Sequence, residues 1–220
     1  MTALRHFGNW PHEILTDQPV VLYWLRNAEE KLLARPRSED KRNAIMAAAV
    51  RVIDRQGLSA PTAVIAREAG VANGSLFTYF ETKTVLVNQL YLELKAEMAA
   101  LTPEGLPAGA DLREQFFHVW SNWMSWAIHH PQKRRALAQL DVSDEITPAT
   151  RAAAHQTMSG IAALMGQVRA NGPMHDTQYM FVAAIMNSLL EATMDFVVHD
   201  PANADLHSRT GFDALWRMLS

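Results

Sequence analysis

The sequence predicts an all-helical protein made of a small N-terminal unit and a larger C-terminal one. Apolar residues recur at three- and four-residue intervals over most of the chain, and no segment alternates strictly enough to favour a strand. The stretch LTPEGLPAGAD, with two prolines and two glycines, marks a boundary near residues 102–111. We therefore expect a helical unit over residues 35–101 and a larger one over 102–220.

Residues 1–34 stand apart from this pattern as an N-terminal extension. After a loose start, Asp17 and Pro19 open a possible short helix rich in Val, Leu and Trp. Two interpretations remain open: the segment packs on the body of the protein, or it is upstream sequence read from an early start codon.

Composition excludes several classes of protein. The chain has no cysteine, which excludes a disulfide framework and a thiolate nucleophile. The first residues lack the basic start and small-residue cleavage site of a signal peptide. The most apolar stretch, residues 179–198, is interrupted by Asn187, Glu191 and Asp195, so it predicts a buried helix rather than a membrane span. By elimination we expect a cytoplasmic protein.

The small net charge of −3 conceals an asymmetry along the chain. Residues 35–95 contain nine Lys or Arg against six Asp or Glu, whereas residues 96–220 contain eight against thirteen. A basic half followed by an acidic half is typical of a chain with two tasks, the first half being the one that would meet a polyanion.

Four helices are predicted in the first unit. The first ends at Gly57, Asn73 is expected to cap the third, and Thr82 to cap the fourth. The predicted helices cover residues 38–56, 61–69, 73–79 and 83–101.

Five longer helices are predicted in the second unit. Helical periodicity resumes after the boundary and is broken again by Asn171-Gly172-Pro173. The predicted helices cover residues 112–129, 132–142, 148–170, 176–199 and 201–219.

Two glycines, Gly70 and Gly74, interrupt the short helices of the first unit. Gly70 lies where the residue after a helix end takes the left-handed conformation, and Val71 would then tuck back under the corner. Gly74 removes a side chain where the next helix could come close to a phosphate. A helix-turn-helix explains both, although a corner in any helical bundle could use Ala69-Gly70-Val71 equally.

The residues around the corner resemble the DNA-binding region of the TetR/AcrR regulators. The matching pattern extends over about fifty residues, and it departs at Phe77, where the family often has a tyrosine. The matching residues are Thr62, Ile65, Ala66, Ala69, Gly70, Val71, Gly74, Ser75, Leu76, Tyr79, Phe80, Lys83 and Leu86. The stretches ARPRSEDK, NQLYLELK, SWAIHHP and EATMDFVVHDP are similar to a multidrug-responsive repressor within that family, from about Ala34 to the C-terminus.

This resemblance implies a three-helix helix-turn-helix DNA-binding domain joined to a larger helical domain for ligand binding and dimerisation. It implies a homodimeric transcriptional repressor of efflux-related genes that is released by small lipophilic or cationic compounds. The last two helices would form the dimer interface, where Ala183, Ala184 and Ala192 permit close approach.

The resemblance also implies a set of DNA-binding residues. Residues 73–79 would enter the major groove, with base contacts from Ala72, Asn73, Ser75 and Thr78. Gly74 would let the backbone approach DNA. Thr62, Tyr79 and Lys83 would hold phosphates, and Arg35, Arg37 and Lys41 would form a basic arm. A solvated helix start is the alternative for that arm.

An aromatic stripe on the helix over 112–129 indicates either a core or a ligand pocket. Phe116, Trp120 and Trp123 share one face, and such stripes are usually core. Three tryptophans within seven residues, Trp126 included, are nevertheless unusual because each indole N–H needs a partner. Stacking and cation–π contacts with a flat cationic ligand would also use these rings.

The resemblance implies that Tyr91, Trp120 and Phe196 line a ligand cavity, with Lys95, Phe116 and Asp195 beside it. Trp123 belongs to the same predicted set. Glu191 and Asp195 would present negative charge to a cationic ligand, and a salt bridge or a solvent-facing stripe is the alternative.

Enzymatic interpretations have little support in the sequence. The nine histidines are scattered, and no HExxH, paired-cysteine or phosphate-loop motif is present, so we expect no enzyme activity, metal or cofactor. A helical small-molecule-binding protein without specific operator binding remains the alternative function.

Overall fold

The computed structural model describes residues 38–102 and 109–220, and every regular element in these two ranges is helical. The prediction of an all-helical protein is confirmed there. The predicted arm residues Arg35 and Arg37, and the extension over 1–34, lie outside the described residues. By its internal contacts the chain divides into Met1–Ala44 and Ile45–Ser220. Apart from Lys41, every described residue of the sites discussed below lies in Ile45–Ser220.

The first four helices closely follow the predicted bounds. Helix α1 covers residues 38–56. It is followed by α2 (Thr62–Glu68), α3 (Asn73–Tyr79) and α4 (Lys83–Ala100). Thr82 caps α4 as predicted, because its Oγ1 accepts a hydrogen bond from the Val85 N–H at 3.1 Å.

Six further α-helices form the C-terminal part of the described chain. They are α5 (Leu112–His129), α6 (Pro131–Asp141), α7 (Pro148–Thr157), α8 (Ser159–Val168), α9 (Tyr179–His199) and α10 (Ala204–Leu219). A 3₁₀ turn, Pro201–Asn203, precedes α10. Asp111 begins α5 with a capping box, in which its side chain bonds the Glu114 N–H at 2.8 Å and the Glu114 side chain bonds the Asp111 N–H at 2.9 Å.

Two predicted bounds in this part are wrong. The single helix expected over 148–170 is two helices, because Met158 has ψ of 11° and ends α7 beside Gly160, a poor helix former. The helix expected from Asp176 begins at Tyr179 instead. The Arg169 guanidinium donates to the carbonyls of His175 and Thr177, and this stabilises turns where helix was predicted.

One hydrophobic core joins these helices within Ile45–Ser220. α9 and α10 pack closely because Gly211 has no side chain: a Cβ there would lie 2.9 Å from Thr193 Cγ2 and 3.1 Å from Trp120 Cζ2. α5 therefore lies against a tightly paired α9 and α10.

Candidate nucleic-acid interface and ligand site

The turn between α2 and α3 is a rigid corner. Gly70 has φ of +70°, in the left-handed region that was predicted for it. Its N–H donates to the Arg67 carbonyl at 3.1 Å, and the Val71 N–H donates to the Ala66 carbonyl at 3.0 Å. These two bonds form a Schellman motif. Because Val71 also packs against the core, the direction in which α3 leaves the corner is fixed.

Helix α3 presents a surface of mostly small and polar side chains to solvent. Leu76 and Phe80 are fully buried and anchor the helix from below. The exposed positions of the helix and its first flanking residue are Ala72, Asn73, Gly74, Ser75, Phe77 and Thr78, which we call the α3 surface. It includes every residue predicted to contact bases. Short polar side chains of this kind can hydrogen-bond base edges in a groove.

The predicted capping role of Asn73 is wrong. Ala72 precedes the helix with extended backbone angles, and its carbonyl accepts from the N–H groups of Ser75 and Leu76 at 2.9 and 3.3 Å. No side chain caps α3. Since the helix begins one residue earlier than a cap at Asn73 requires, the Asn73 side chain is exposed on the α3 surface.

The residues predicted to hold phosphates lie around this surface but are less exposed. Thr62 and Tyr79 are half-buried, and Tyr79 packs against the core. The Lys83 ammonium donates to the Leu58 carbonyl. Because an ammonium has three N–H groups, that bond leaves two for another acceptor. Lys41 is exposed on α1.

The aromatic residues of α5 are packed in the core. Trp120 Nε1 donates to the Ser208 carbonyl at 3.0 Å, and Trp123 Nε1 donates to the Met98 carbonyl at 3.2 Å. Trp126 Nε1 donates to Glu97 Oε1 at 2.8 Å. Since each indole N–H has a partner within the chain and Phe116 is buried too, the structure agrees with the core interpretation of this stripe. A ligand could reach these rings only if the helices rearranged.

Tyr91 and Lys95 on α4 share a carboxylate from α6. The Tyr91 hydroxyl donates to Asp141 Oδ1 at 2.9 Å, and Lys95 Nζ lies 2.9 Å from the same oxygen. Burial, with the negative charge of Asp141 adding to it, raises the pKa of the Tyr91 hydroxyl above its usual value. Tyr91 therefore acts as a hydrogen-bond donor that ties α4 to α6.

Arg134 on α6 is buried and forms ion pairs with two partly exposed carboxylates of α9. Its Nη1 lies 2.8 Å from Glu191 Oε2 and its Nη2 lies 2.6 Å from Asp195 Oδ1. Arg134 is 6 % exposed, and its Nε has no hydrogen-bond partner among the described residues. Burial raises the pKa of Glu191, and it outweighs the opposing effect of Arg134. Glu191 and Asp195 thus form the salt bridges that were one alternative for them, and both side chains also remain partly exposed to solvent, as the other alternative expected.

Sequence reasoning missed Arg134 because its partners lie about sixty residues away in the chain. The only signal in the sequence was a match of charge, between the basic run Lys133-Arg134-Arg135 and two carboxylates four residues apart on α9.

The structure does not bring Phe196 together with Tyr91 and Trp120. The Phe196 ring is 64 % exposed, and the ring nearest to it belongs to His207, 5.5 Å away between centroids. The neighbouring Val197 faces the core instead. Because consecutive residues on a helix point about 100° apart, burying Val197 turns Phe196 outward. The prediction that Phe196 lines a cavity together with Tyr91 and Trp120 is therefore corrected.

Helix α6 is also attached to α1. Arg135 Nε and Nη2 donate to the two carboxylate oxygens of Asp54 at 2.6 and 2.9 Å. Gln139 Nε2 donates to the Ile53 carbonyl at 3.1 Å. Consecutive residues of α6 thus connect α9, through Arg134, and α1, through Arg135.

Within the described ranges, no group of three or more His, Asp or Glu side chains is placed to hold a metal ion. Tyr179–His199 is long and apolar enough to cross a membrane by length and composition alone, which is weak evidence for a span.

Comparison with known proteins supplies the family context. Residues 45–90 match the family described as bacterial regulatory proteins, tetR family. A tetR family transcription regulator from Shewanella sp. PV-4 is 29 % identical, with a TM-score of 0.72 over 80 % of this chain and 95 % of that chain. This chain has the TetR-like fold. A second TetR family transcription regulator, from Marinobacter aquaeolei VT8, is 19 % identical, with a TM-score of 0.72 over 84 % of this chain and 98 % of that chain.

The TetR-like fold also occurs in the transcriptional regulator FadR from Bacillus subtilis, which was solved in complex with stearoyl-CoA. It is 18 % identical, with a TM-score of 0.60 over 80 % of this chain and 98 % of that chain. TetR-family regulators bind DNA operators and small molecules, act as dimers and are not enzymes.

Proposed function

We propose that this chain is a cytoplasmic transcriptional repressor that binds its operator as a homodimer and is released by small lipophilic or cationic compounds, with efflux-related genes under its control. The observation that carries the DNA-binding part is the α3 surface, an exposed face of mostly small and polar side chains held on a rigid corner in a TetR-like fold.

In this proposal the α3 surface enters the major groove. Asn73, Ser75 and Thr78 carry hydrogen-bonding groups for base edges, and Ala72 offers a methyl group. Contacts to phosphate come from Thr62, Tyr79 and Lys83 and from the basic arm with Arg35, Arg37 and Lys41. The excess of positive charge over residues 35–95 supports this orientation, because DNA is a polyanion.

The ligand class rests on the resemblance of the chain from about Ala34 onward to the multidrug-responsive repressor RamR. The Arg134 cluster suggests how a cation could act: it would compete with Arg134 for the carboxylates of Glu191 and Asp195. The apolar part of the ligand would then have to displace the buried rings of Tyr91 and Trp120. The site would therefore be a pocket that forms when the ligand binds.

Release of DNA needs a ligand that prefers a different arrangement of the helices. Since α6 contacts α9 through Arg134 and α1 through Arg135, a displacement of α6 would change the support of α1. The two α3 surfaces of a dimer must fit half-sites about one helical turn of DNA apart, ~34 Å, so a small change in their spacing weakens binding.

The experiment that tests the proposal selects operators from the genome of origin. Purified protein is incubated with genomic fragments, the bound fragments are sequenced, and the recovered site is titrated by fluorescence anisotropy with and without rhodamine 6G. We expect an inverted-repeat site bound at least about a thousandfold more tightly than random DNA, and loss of that binding with the dye.

Each outcome addresses a separate part of the proposal. Weak, sequence-independent binding would favour a helical small-molecule-binding protein without a specific operator. Tight operator binding that the dye leaves unchanged would overturn the proposed ligand class and leave the DNA-binding part standing.

A further inference from the structure

A cleft on the surface of the second unit lies between the start of α5 and the middle of α10. Its volume is about 390 Å³, within the ~300–1,000 Å³ typical of sites for small organic ligands. Helix α5 contributes Arg113 and Phe117 to the lining, and α10 contributes Arg209, Phe212 and Asp213. None of these residues belongs to the DNA-binding surface or to the predicted ligand pocket.

Aromatic rings and guanidinium groups together form the wall of this cleft. The rings of Phe117 and Phe212 meet edge to face, with centroids 4.8 Å apart. The Arg209 guanidinium lies 5.8 Å from the Phe117 ring centre, and the Arg113 guanidinium lies 5.9 Å from that of Phe212. Phe212 is 3 % exposed, so a planar ligand meets the ring of the half-buried Phe117 and the flat cationic groups, which stack well on aromatic rings.

The cleft is lined by three carboxylates, Asp111, Glu114 and Asp213, and by two guanidinium groups, Arg113 and Arg209. Asp111 and Glu114 are engaged in the capping box at the start of α5. Asp213 pairs with Arg113 at 2.7 Å. The ion pairs found among the described residues leave Arg209 without a carboxylate, so a ligand entering the cleft meets the positive charge of Arg209. A guanidinium binds a carboxylate through two parallel hydrogen bonds.

We propose that this cleft is a second ligand site, which binds a small planar aromatic carboxylate. The aromatic ring of the ligand packs against the half-buried Phe117, and its carboxylate pairs with Arg209. The site lies apart from the Arg134 cluster, and it selects the opposite charge from the cationic compounds proposed above.

The test uses the full-length protein and 2-naphthoate as the probe, with binding measured by isothermal titration calorimetry. The comparison compound is 2-naphthylmethylamine, which keeps the ring system and carries a positive charge. We expect saturable binding of one naphthoate per chain and binding of the amine at least about tenfold weaker, because a charged hydrogen-bonded pair contributes about that factor or more.

Two variants separate this cleft from any other apolar site. Arg209→Ala removes the guanidinium, and Arg209→Gln removes the charge while keeping part of the stem that covers Phe117. Because Arg209 is exposed, both should fold normally, which melting curves check. We expect each to weaken naphthoate binding about tenfold or more. Arg67→Ala, an exposed arginine on α2, should leave it unchanged.

Three results would overturn the proposal: no saturable naphthoate binding by the wild type, equal affinity for the amine, or unchanged affinity in Arg209→Ala. The last would place the probe elsewhere in the protein. Operator binding is measured separately, so failure of this site would not be confused with failure of the proposed repressor function.

Discussion

Arg135 and Asp54 join α6 to the last turns of α1 by two parallel hydrogen bonds of 2.6 and 2.9 Å. The Asp54 side chain is 7 % exposed. Its hydrogen bonds raise the pKa of Arg135 above the usual value. A carboxylate this well covered depends on its partner, because an unpaired buried charge is strongly disfavoured.

We predict that Arg135→Ala lowers the free energy of unfolding by about 1–3 kcal/mol, since it leaves the Asp54 carboxylate covered and unpaired. Arg55→Ala is the matched control. Arg55 pairs with Glu68 at 2.9 Å on the surface, and an exposed pair contributes less than about 1 kcal/mol. Urea denaturation followed by circular dichroism measures both. Equal losses in the two variants would show that the Asp54 pair contributes no more than a surface salt bridge.

Adding a methyl group should have different effects on stability at Gly70 and at Gly74. Gly70→Ala forces a side chain into the left-handed region, where its φ is +70°, and should cost about 1–2 kcal/mol. At Gly74, which lies in a helix, a Cβ would have no neighbouring atom within 4 Å. Gly74→Ala should therefore leave the melting temperature unchanged or raise it.

Operator affinity, unlike stability, should fall in Gly74→Ala. If the backbone there approaches DNA, the added methyl group of Gly74→Ala weakens operator binding although the protein is as stable as the wild type. Anisotropy titrations of the two variants, beside their melting curves, separate the effects. Full operator affinity in Gly74→Ala would remove Gly74 from the interface.

The position of the corner could be predicted from sequence because its signals are local. Gly70 and Val71 determine the Schellman turn, and Thr82 caps α4, through atoms at most five residues apart. The Arg134 cluster could not be predicted in the same way. Its ion pairs join α6 to α9, and sequence periodicity carries no information about which helices become neighbours.

The orientation of Phe196 could not be predicted from sequence either. Periodicity predicted a long helix through this residue, and α9 has it. Thr193 of that helix lies against Gly211 of α10, and contacts of this kind between helices determine which residues face inward. A sequence with aromatic and aliphatic residues side by side is compatible with either of them facing inward, so the exposure of Phe196 depends on tertiary structure.

We next predict a separation between phosphate and base contacts. Lys83→Ala and Tyr79→Phe should weaken binding by similar factors for all operator variants, because phosphate contacts carry no direct sequence information. For Lys83→Ala the slope of log K against log salt should fall by about one. Because Lys83 also bonds the Leu58 carbonyl, a melting curve must accompany the titration.

Ser75→Ala and Thr78→Ala should instead change the order of preference among operator variants. Both side chains are exposed on the α3 surface, so these variants should fold as the wild type does. A panel of single-base operator changes measures the preference, with about 1–3 kcal/mol expected for each lost base-specific contact. If Lys83→Ala altered the preferred sequence and Thr78→Ala did not, the two roles would be assigned the wrong way round.

Stability should depend on pH in opposite ways at Glu191 and Glu97. Burial raises the pKa of Glu191 in the folded protein above 4.5, so its contribution to stability is present below that pH and is lost as pH rises through the folded pKa. Burial by itself raises the pKa of Glu97, but hydrogen bonds from Lys133 and Trp126 outweigh burial, so the pKa lies below its usual value. Its contribution is present above 4.5 and is lost as pH falls.

Glu191→Gln and Glu97→Gln test these signs against each other. Relative to wild type, Glu191→Gln should gain stability as pH rises above 4.5, whereas the deficit of Glu97→Gln is constant above 4.5 and should shrink as pH falls below it, so the pH range must extend to both sides of 4.5. Urea midpoints across this range measure both differences. A Glu191→Gln variant that loses stability relative to wild type as pH rises would mean that Arg134, rather than burial, determines the pKa of Glu191.

The last prediction concerns the outer face of α9, where Ala184, Ser188, Ala192 and Phe196 follow one another at four-residue intervals and are all exposed or half-buried in the single chain. Ala183, also predicted for this interface, packs against the core instead. Small residues along one helix row let a second helix approach closely, and the exposed Phe196 ring adds apolar surface.

If this row pairs two chains, Ala192→Glu places an unpaired carboxylate in the interface. We expect it to weaken dimerisation by about a hundredfold or more and to reduce operator binding with it, because a dimer is needed to span two half-sites. Ala152→Glu, on the exposed face of α7, adds the same charge away from α9 and should leave the dimer intact. Sedimentation velocity over a concentration series measures both. A dimer that persists in Ala192→Glu at the wild-type dissociation constant would exclude this row from the interface, and Phe196 would then be an exposed ring without the proposed partner.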